Sequence, residues 1–122
     1  MKNDESKEMY LETLLKLKNK GARCRAVDVA TEMGFSRPSV SNAVKLLQTE
    51  GLIYVNAADG ELEFTAEGKK RAENVFDRHC VLTALFASMG AGDDLAEENA
   101  CRVEHVLSDE MFDLIKRHVS KN

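Results

Sequence analysis

Apolar positions recur at helical spacing along most of the chain. In "EMYLETLLKLKNKG", Leu11, Leu14, Leu15 and Leu17 include pairs three and four apart, which predicts a helix over about residues 5–19 ended by Gly21. "AVDVATEM" predicts a second, shorter helix closed by Gly34. In "SRPSVSNAVKLLQTEG", Val40, Val44 and Leu47 form an inward stripe, and Pro38, Ser41, Asn42 and Lys45 share the opposite side. Ser36 or Arg37 caps that helix, Pro38 sits in its first turn, where a missing N–H costs nothing, and Gly51 stops it. The period then changes. "LIYVNAADGELEFT" alternates Leu62 and Phe64 with Glu61 and Glu63 around the turn dipeptide at 59–60, which predicts a β-hairpin. Thr65 caps a long helix running towards Gly90, Asp93 or Asp94 caps a helix over 95–106, and Ser108 caps a last one over about 109–118. The order is three helices, a hairpin, a long helix and two more helices. The class is mostly α, and the boundary falls inside the long helix, giving domains at 1–72 and 73–122.

Residues 26–51 have the steric signature of a helix-turn-helix. Ala30 lets two helices cross closely, Gly34 takes the turn, and Val40 anchors the second helix. The hairpin that follows makes it a winged version. The helix at 37–50 would enter a major groove by its N-terminal end. The short polar side chains of Ser36, Ser39 and Ser41, beside Pro38, allow a close approach; Asn42 suits adenine, and Arg37 and Lys45 suit phosphate. The wing tip, with Asp59 and Glu61, is acidic and is expected to contribute little.

Charge distribution supports this reading where the total does not. The 122 residues carry a net charge of −4, but residues 16–45 hold seven Lys/Arg against two Asp/Glu. Residues 93–113 invert the balance, with eight Asp/Glu against Arg102. That acidic stretch contains "CRVEH". On a helix, Cys101, Glu104 and His105 lie within an arc of roughly 100°, and thiolate, carboxylate and imidazole are all ligands for divalent metals. The competing reading is a half-buried cysteine beside a solvated Glu–His pair. Three cysteines without CxxC spacing argue against a disulfide framework or zinc knuckle. No run approaches membrane-spanning length and no signal peptide opens the chain, so a cytoplasmic location and no membrane partner are expected.

Taken together, "EMYLETL", "SRPSVSNAVKLLQTEGL", "LEFTAEGK", "RHCVL" and "ENACRVEHVLSDE" make the chain resemble the DtxR/MntR family of metal-dependent transcriptional repressors over nearly its whole length. The resemblance implies a homodimer whose affinity for a palindromic double-stranded DNA operator rises when Fe²⁺ or Mn²⁺ is bound, with no organic cofactor and no enzymatic activity. It implies an iron-type primary site of Met9, Cys101, Glu104 and His105; the soft ligands at 9 and 101 favour Fe²⁺ over Mn²⁺. It implies a second site around His79, Glu12 and Glu104, with Glu97 or Cys101 as further candidates and Thr83 standing where iron-type members have an ancillary Glu. Dimer contacts are expected from Val81, Leu82, Leu85, Phe86, Val106, Leu107 and Phe112. Cys80 is expected to fill core space, Cys24 to be a loop thiol, and His118 to have no role beyond the last helix's dipole. Iron-type members carry a third, SH3-like domain; the chain is either a short member, as in the manganese branch, or a piece of a longer one. The alternative is a metal-independent winged-helix regulator with a vestigial site, or with a redox-sensing site at Cys101.

Overall fold

The computed structural model describes residues 2–121, with side chains from residue 5 to 121. The chain divides into two units, residues 1–73 and 74–122. The first contains α1 (Lys2–Asn19), α2 (Ala26–Met33), α3 (Arg37–Thr49), β1 (Ile53–Val55) and β2 (Leu62–Phe64). α4 (Ala66–Ser88) runs through the boundary. α5 (Asp93–Val103) and α6 (Asp109–Lys121) belong to the second unit.

The first unit is built on the apolar stripes of its helices. Leu11, Leu14, Leu15 and Leu17 of α1 are buried, as are Val29 and Ala30 of α2 and Val40, Val44 and Leu47 of α3. Each such aliphatic side chain contributes about 1.5–3 kcal/mol when withdrawn from water. Gly34 closes α2 at φ 71°, and its N–H donates to the Ala30 carbonyl at 2.9 Å. A side chain at that φ would be strained, so the sharp turn between α2 and α3 depends on glycine. Ser36 is the N-cap of α3, its Oγ accepting from the Ser39 N–H at 3.3 Å.

β1 and β2 pair antiparallel, with Ile53 opposite Phe64 and Val55 opposite Leu62. The reversal spans Asn56 to Glu61: the Gly60 N–H donates to the Asn56 carbonyl and the Asn56 N–H to the Glu61 carbonyl, both at 2.8 Å. Thr65 caps α4 by accepting from the Gly68 N–H at 3.0 Å. Gly68 itself fills a tight contact, since a Cβ there would lie 1.8 Å from the Leu52 carbonyl oxygen.

The wing differs from its expected character. Glu61 does not project acidic charge outward. Its carboxylate accepts from Arg23 Nε at 2.7 Å and from the Cys24 N–H at 3.0 Å. The Arg23 bond holds the Glu61 carboxyl below its ordinary value. Glu63 is likewise bonded to Lys18 at 2.9 Å. Two of the wing's acids therefore tie it to the α1–α2 segment.

In the second unit, Val75 and Leu82 of α4, Ala96 and Ala100 of α5 and Phe112 of α6 are buried. Leu82, at 1% exposure, and Phe112, at 4%, thus belong to the protomer's own core and are removed from the expected dimer contacts. Gly92, rather than Asp93 or Asp94, is the N-cap of α5, and those two acids lie in its first turn, where they complement the dipole. Ser108 caps α6 by accepting from the Met111 N–H at 3.1 Å. Cys24 lies in the loop between α1 and α2, as expected, but is fully buried there, with its thiol pushed up to about 11 by that burial; Cys80, expected to fill core space, is exposed.

Candidate metal centre and nucleic-acid interface

α5 ends at Val103, two residues short of His105. Glu104 is its C-cap and keeps helical dihedrals (φ −58°, ψ −26°), with its N–H donating to the Ala100 carbonyl at 2.9 Å. His105 lies in the turn that follows. The expected helix over 95–106 thus stops earlier, and of the three expected ligands Cys101 lies in its last turn, Glu104 caps it and His105 follows in the turn.

What packing assembles is a carboxylate between two imidazoles. Glu104 is 0% exposed. Its Oε2 lies 3.3 Å from His79 Nδ1, and its Oε1 lies 3.5 Å from His105 Nε2. His79 comes from the buried side of α4 and is no surface residue, while the His105 side chain is 1% exposed. A carboxylate withdrawn from water needs cationic or coordinating company, and neutral imidazole nitrogens are common metal donors. One oxygen faces each ring, so the carboxylate can serve a cation on either side. The donor set thus fits a divalent ion. Thr83 donates its hydroxyl to the His79 carbonyl at 2.7 Å. Cys101 is half-buried in the last turn of α5, and Glu97 is exposed on the same helix.

In the first unit, Met9 and Glu12 lie three residues apart and share one side of α1. Met9 is half-buried, and Glu12 is 5% exposed with Lys16 Nζ at 3.7 Å.

The sequence reading overlooked Arg78. Its guanidinium is 6% exposed and donates to the carbonyls of Glu104 and Leu107. A signal existed: Arg78 stands between Val75 and Leu82 at helical spacing, on a stripe that is otherwise inward-facing.

The residues expected to meet DNA lie on α3 or at its N-cap. Ser36, Arg37, Pro38, Ser39, Ser41, Asn42 and Lys45 are all exposed. The basic residues of this region fall into two groups. Lys16, Lys18, Arg23 and Arg25 are engaged by Glu12, Glu63, Glu61 and Asp28. Lys20, Arg37 and Lys45 form no ion pair with another described residue; of these, Arg37 and Lys45 lie on α3.

Comparison with known proteins matches the two halves of the chain to two domain families. Residues 4–60 match the iron dependent repressor N-terminal DNA binding domain, and residues 65–121 match the iron dependent repressor metal binding and dimerisation domain. The chain is 31% identical over 113 residues to the transcriptional regulator MntR of Escherichia coli O6:H1, covering 93% of this chain and 72% of that protein. It is 33% identical over 108 residues to the diphtheria toxin repressor of Corynebacterium glutamicum, covering 88% of this chain and 47% of that one. Among solved structures, the manganese regulator SloR superposes with a TM-score of 0.81 at 24% identity, over 95% of this chain and 54% of SloR. The chain thus spans about half the length of SloR and of the diphtheria toxin repressor. These relatives are named as regulators and repressors, and among the described residues no helix is long and apolar enough to cross a membrane. The chain belongs to the iron-dependent repressor, or DtxR/MntR, family of metal-dependent transcriptional regulators, with a winged-helix DNA-binding domain followed by a metal-binding and dimerisation domain.

Proposed function

We propose that this chain represses transcription by binding a palindromic operator as a homodimer when loaded with Fe²⁺, with Mn²⁺ as the alternative ion. The observation that supports it most is the fully buried Glu104 carboxylate, with one oxygen towards His79 and the other towards His105. Cys101, Glu104 and His105 would hold one ion together with Met9, and the thioether and thiolate donors favour Fe²⁺. His79, Glu104 and Glu12 would hold a second. Glu97 is the weakest candidate, because it is exposed rather than withdrawn from water. A bound divalent ion supplies positive charge and directed coordination to this acidic cluster.

The consequences fall to the protein's own residues. Glu104 would no longer be compensated only by the two histidines, and Cys101 would be held as thiolate. Met9 and Glu12 would tie α1, and with it the reading head, to the second unit. In a dimer this sets the separation of two α3 helices. A palindrome with half-sites about one helical turn apart, or a multiple of it, accepts only certain separations. A tenfold preference for the DNA-competent arrangement corresponds to about 1.4 kcal/mol. Arg37 and Lys45 would meet phosphate while Asn42 reads a base edge.

A groove of about 440 Å³ on the second unit, lined by Phe86, Met89, Leu95 and Val103, supports the dimer. Met89 is 75% exposed and Leu95 58%. Apolar side chains so exposed around one groove suit a partner surface.

The test is an anaerobic titration with Fe²⁺ and with Mn²⁺, following the fluorescence anisotropy of DNA fragments selected from a random-sequence pool. Binding that appears with metal and disappears with chelator is expected. Equal affinity with and without metal would establish the metal-independent regulator instead.

A further inference from the structure

We propose that Arg78 is a positioning residue for the metal centre: its guanidinium anchors the turn that carries Glu104 and His105, and so sets the affinity and geometry with which those side chains take an ion. The inference rests on the metal-binding reading proposed above.

The turn from Glu104 to Ser108 separates α5 from α6, and the carbonyls at the end of α5 have no helical donors beyond them. Arg78 supplies the donors. Nη1 donates to the Glu104 carbonyl at 3.1 Å and to the Leu107 carbonyl at 2.6 Å. Nη2 donates to Asp109 Oδ1 at the start of α6. The Phe112 ring lies 5.1 Å from the guanidinium carbon, within cation–π range. One planar group therefore fixes the backbone of a proposed ligand, the far end of its turn and the first residue of the next helix. Arg78 also directly precedes His79 on α4, so the stretch of α4 presenting one imidazole is tied through Arg78 to the segment presenting the carboxylate and the other imidazole. Lysine keeps the charge but lacks the fork, and cannot satisfy two carbonyls and a carboxylate in that geometry. Partners that orient ligands in this way are worth about 10–100-fold in metal affinity.

The experiment is Co²⁺ titration of the full chain, read by its ligand-field absorption, for wild type, Arg78→Lys, Asp109→Asn and, as a packing control, Leu82→Ala. The unfolding midpoint of each metal-free protein is measured alongside. Arg78→Lys is expected to bind Co²⁺ about 10–100-fold more weakly, with shifted absorption bands. Asp109→Asn removes only the exposed arm of the fork and is expected to weaken binding a few-fold. Leu82→Ala is expected to lower the unfolding midpoint while leaving the bands in place. Wild-type affinity and bands in both Arg78→Lys and Asp109→Asn would overturn the inference, as would a band shift in Leu82→Ala equal to that of Arg78→Lys. If wild type itself binds no Co²⁺, the metal-centre reading fails and this inference falls with it.

Discussion

The two units solve the problem of burial differently. The first withdraws fifteen apolar residues from water, from Tyr10 to Ala72, and among the described residues buries a single charged side chain, Glu12. The second buries five apolar residues, two of them alanine, and with them Arg78, His79 and Glu104. It also leaves Met89, Leu95, Val106, Met111 and Leu114 exposed. An apolar core is stabilised by area withdrawn from water and tolerates exchange of one aliphatic residue for another. A buried polar cluster is stabilised only while every member keeps its partners. The first unit therefore rests mainly on its apolar core, although Phe35, Leu46, Tyr54 and Val55 stay exposed on it. The second is a small unit with a buried polar cluster and several exposed apolar side chains, the features on which the proposed ion and second copy rest.

The sharpest break of this contrast is Glu104→Gln. The side chain keeps its volume and loses its charge, so the metal response of operator binding is expected to disappear, a loss of about 100-fold or more. Weak, salt-sensitive binding to random DNA should stay as it is, because α3 is untouched. Metal-dependent operator binding at wild-type strength in this variant would reduce the cluster to a packing device.

Gly68→Ala tests the first unit instead. The new Cβ would overlap the Leu52 carbonyl oxygen, a backbone atom that cannot rotate away. A destabilisation of about 3 kcal/mol is expected in chemical denaturation. A loss below about 0.5 kcal/mol would mean that the hairpin–α4 junction is softer than the contact indicates.

On the reading surface the effects are smaller and can be told apart. Asn42→Ala is expected to cost about 1–3 kcal/mol on a selected operator and little on random DNA. Lys45→Ala should weaken both alike and lower the salt slope by about 1. Sequence-dependent loss in Lys45→Ala would assign it to a base edge.

The smallest effect is a titration. Cys24 is raised by burial from its ordinary 9.0 to about 11. Between those values the unfolded chain loses the proton while the folded one retains it, so this contribution to stability is complete below pH 9 and declines as pH rises towards 11. Urea unfolding at pH 8 and pH 10.5 should show that decline, and Cys24→Ala should flatten it. In the native protein a thiol reagent is expected to modify exposed Cys80 and to reach Cys24 only on unfolding.

Much of the first unit was legible because its signals are local. The stripes at Leu11, Leu14 and Val40, Val44, the glycine at 34 and the cap at Ser36 each act within a few residues, and each reappears in the structure where the pattern places it. The errors came where distant residues decide. Glu61 looked like an outward charge until Arg23 and the Cys24 N–H engaged it. Cys80 was expected in the core and is exposed, and the loop thiol Cys24 is buried, because nothing within a turn of either reports its depth. Leu82 and Phe112 were assigned to a partner but lie in the protomer's own core.

The same division runs through the candidate site. Spacing and residue type were enough to nominate Cys101, Glu104 and His105, with His79 added by the family resemblance, and to identify α3 as a face of short polar side chains with Arg37 and Lys45 beside them. Periodicity could not show that α5 stops at Val103, that His105 reaches Glu104 from a turn, or that an arginine beside His79 holds that turn in place. Helical registry propagates through bonds between near neighbours, so a sequence carries it openly. The meeting of a carboxylate with two imidazoles and a guanidinium is set by packing between segments about 25 residues apart, and only the folded chain brings those segments within hydrogen-bonding reach.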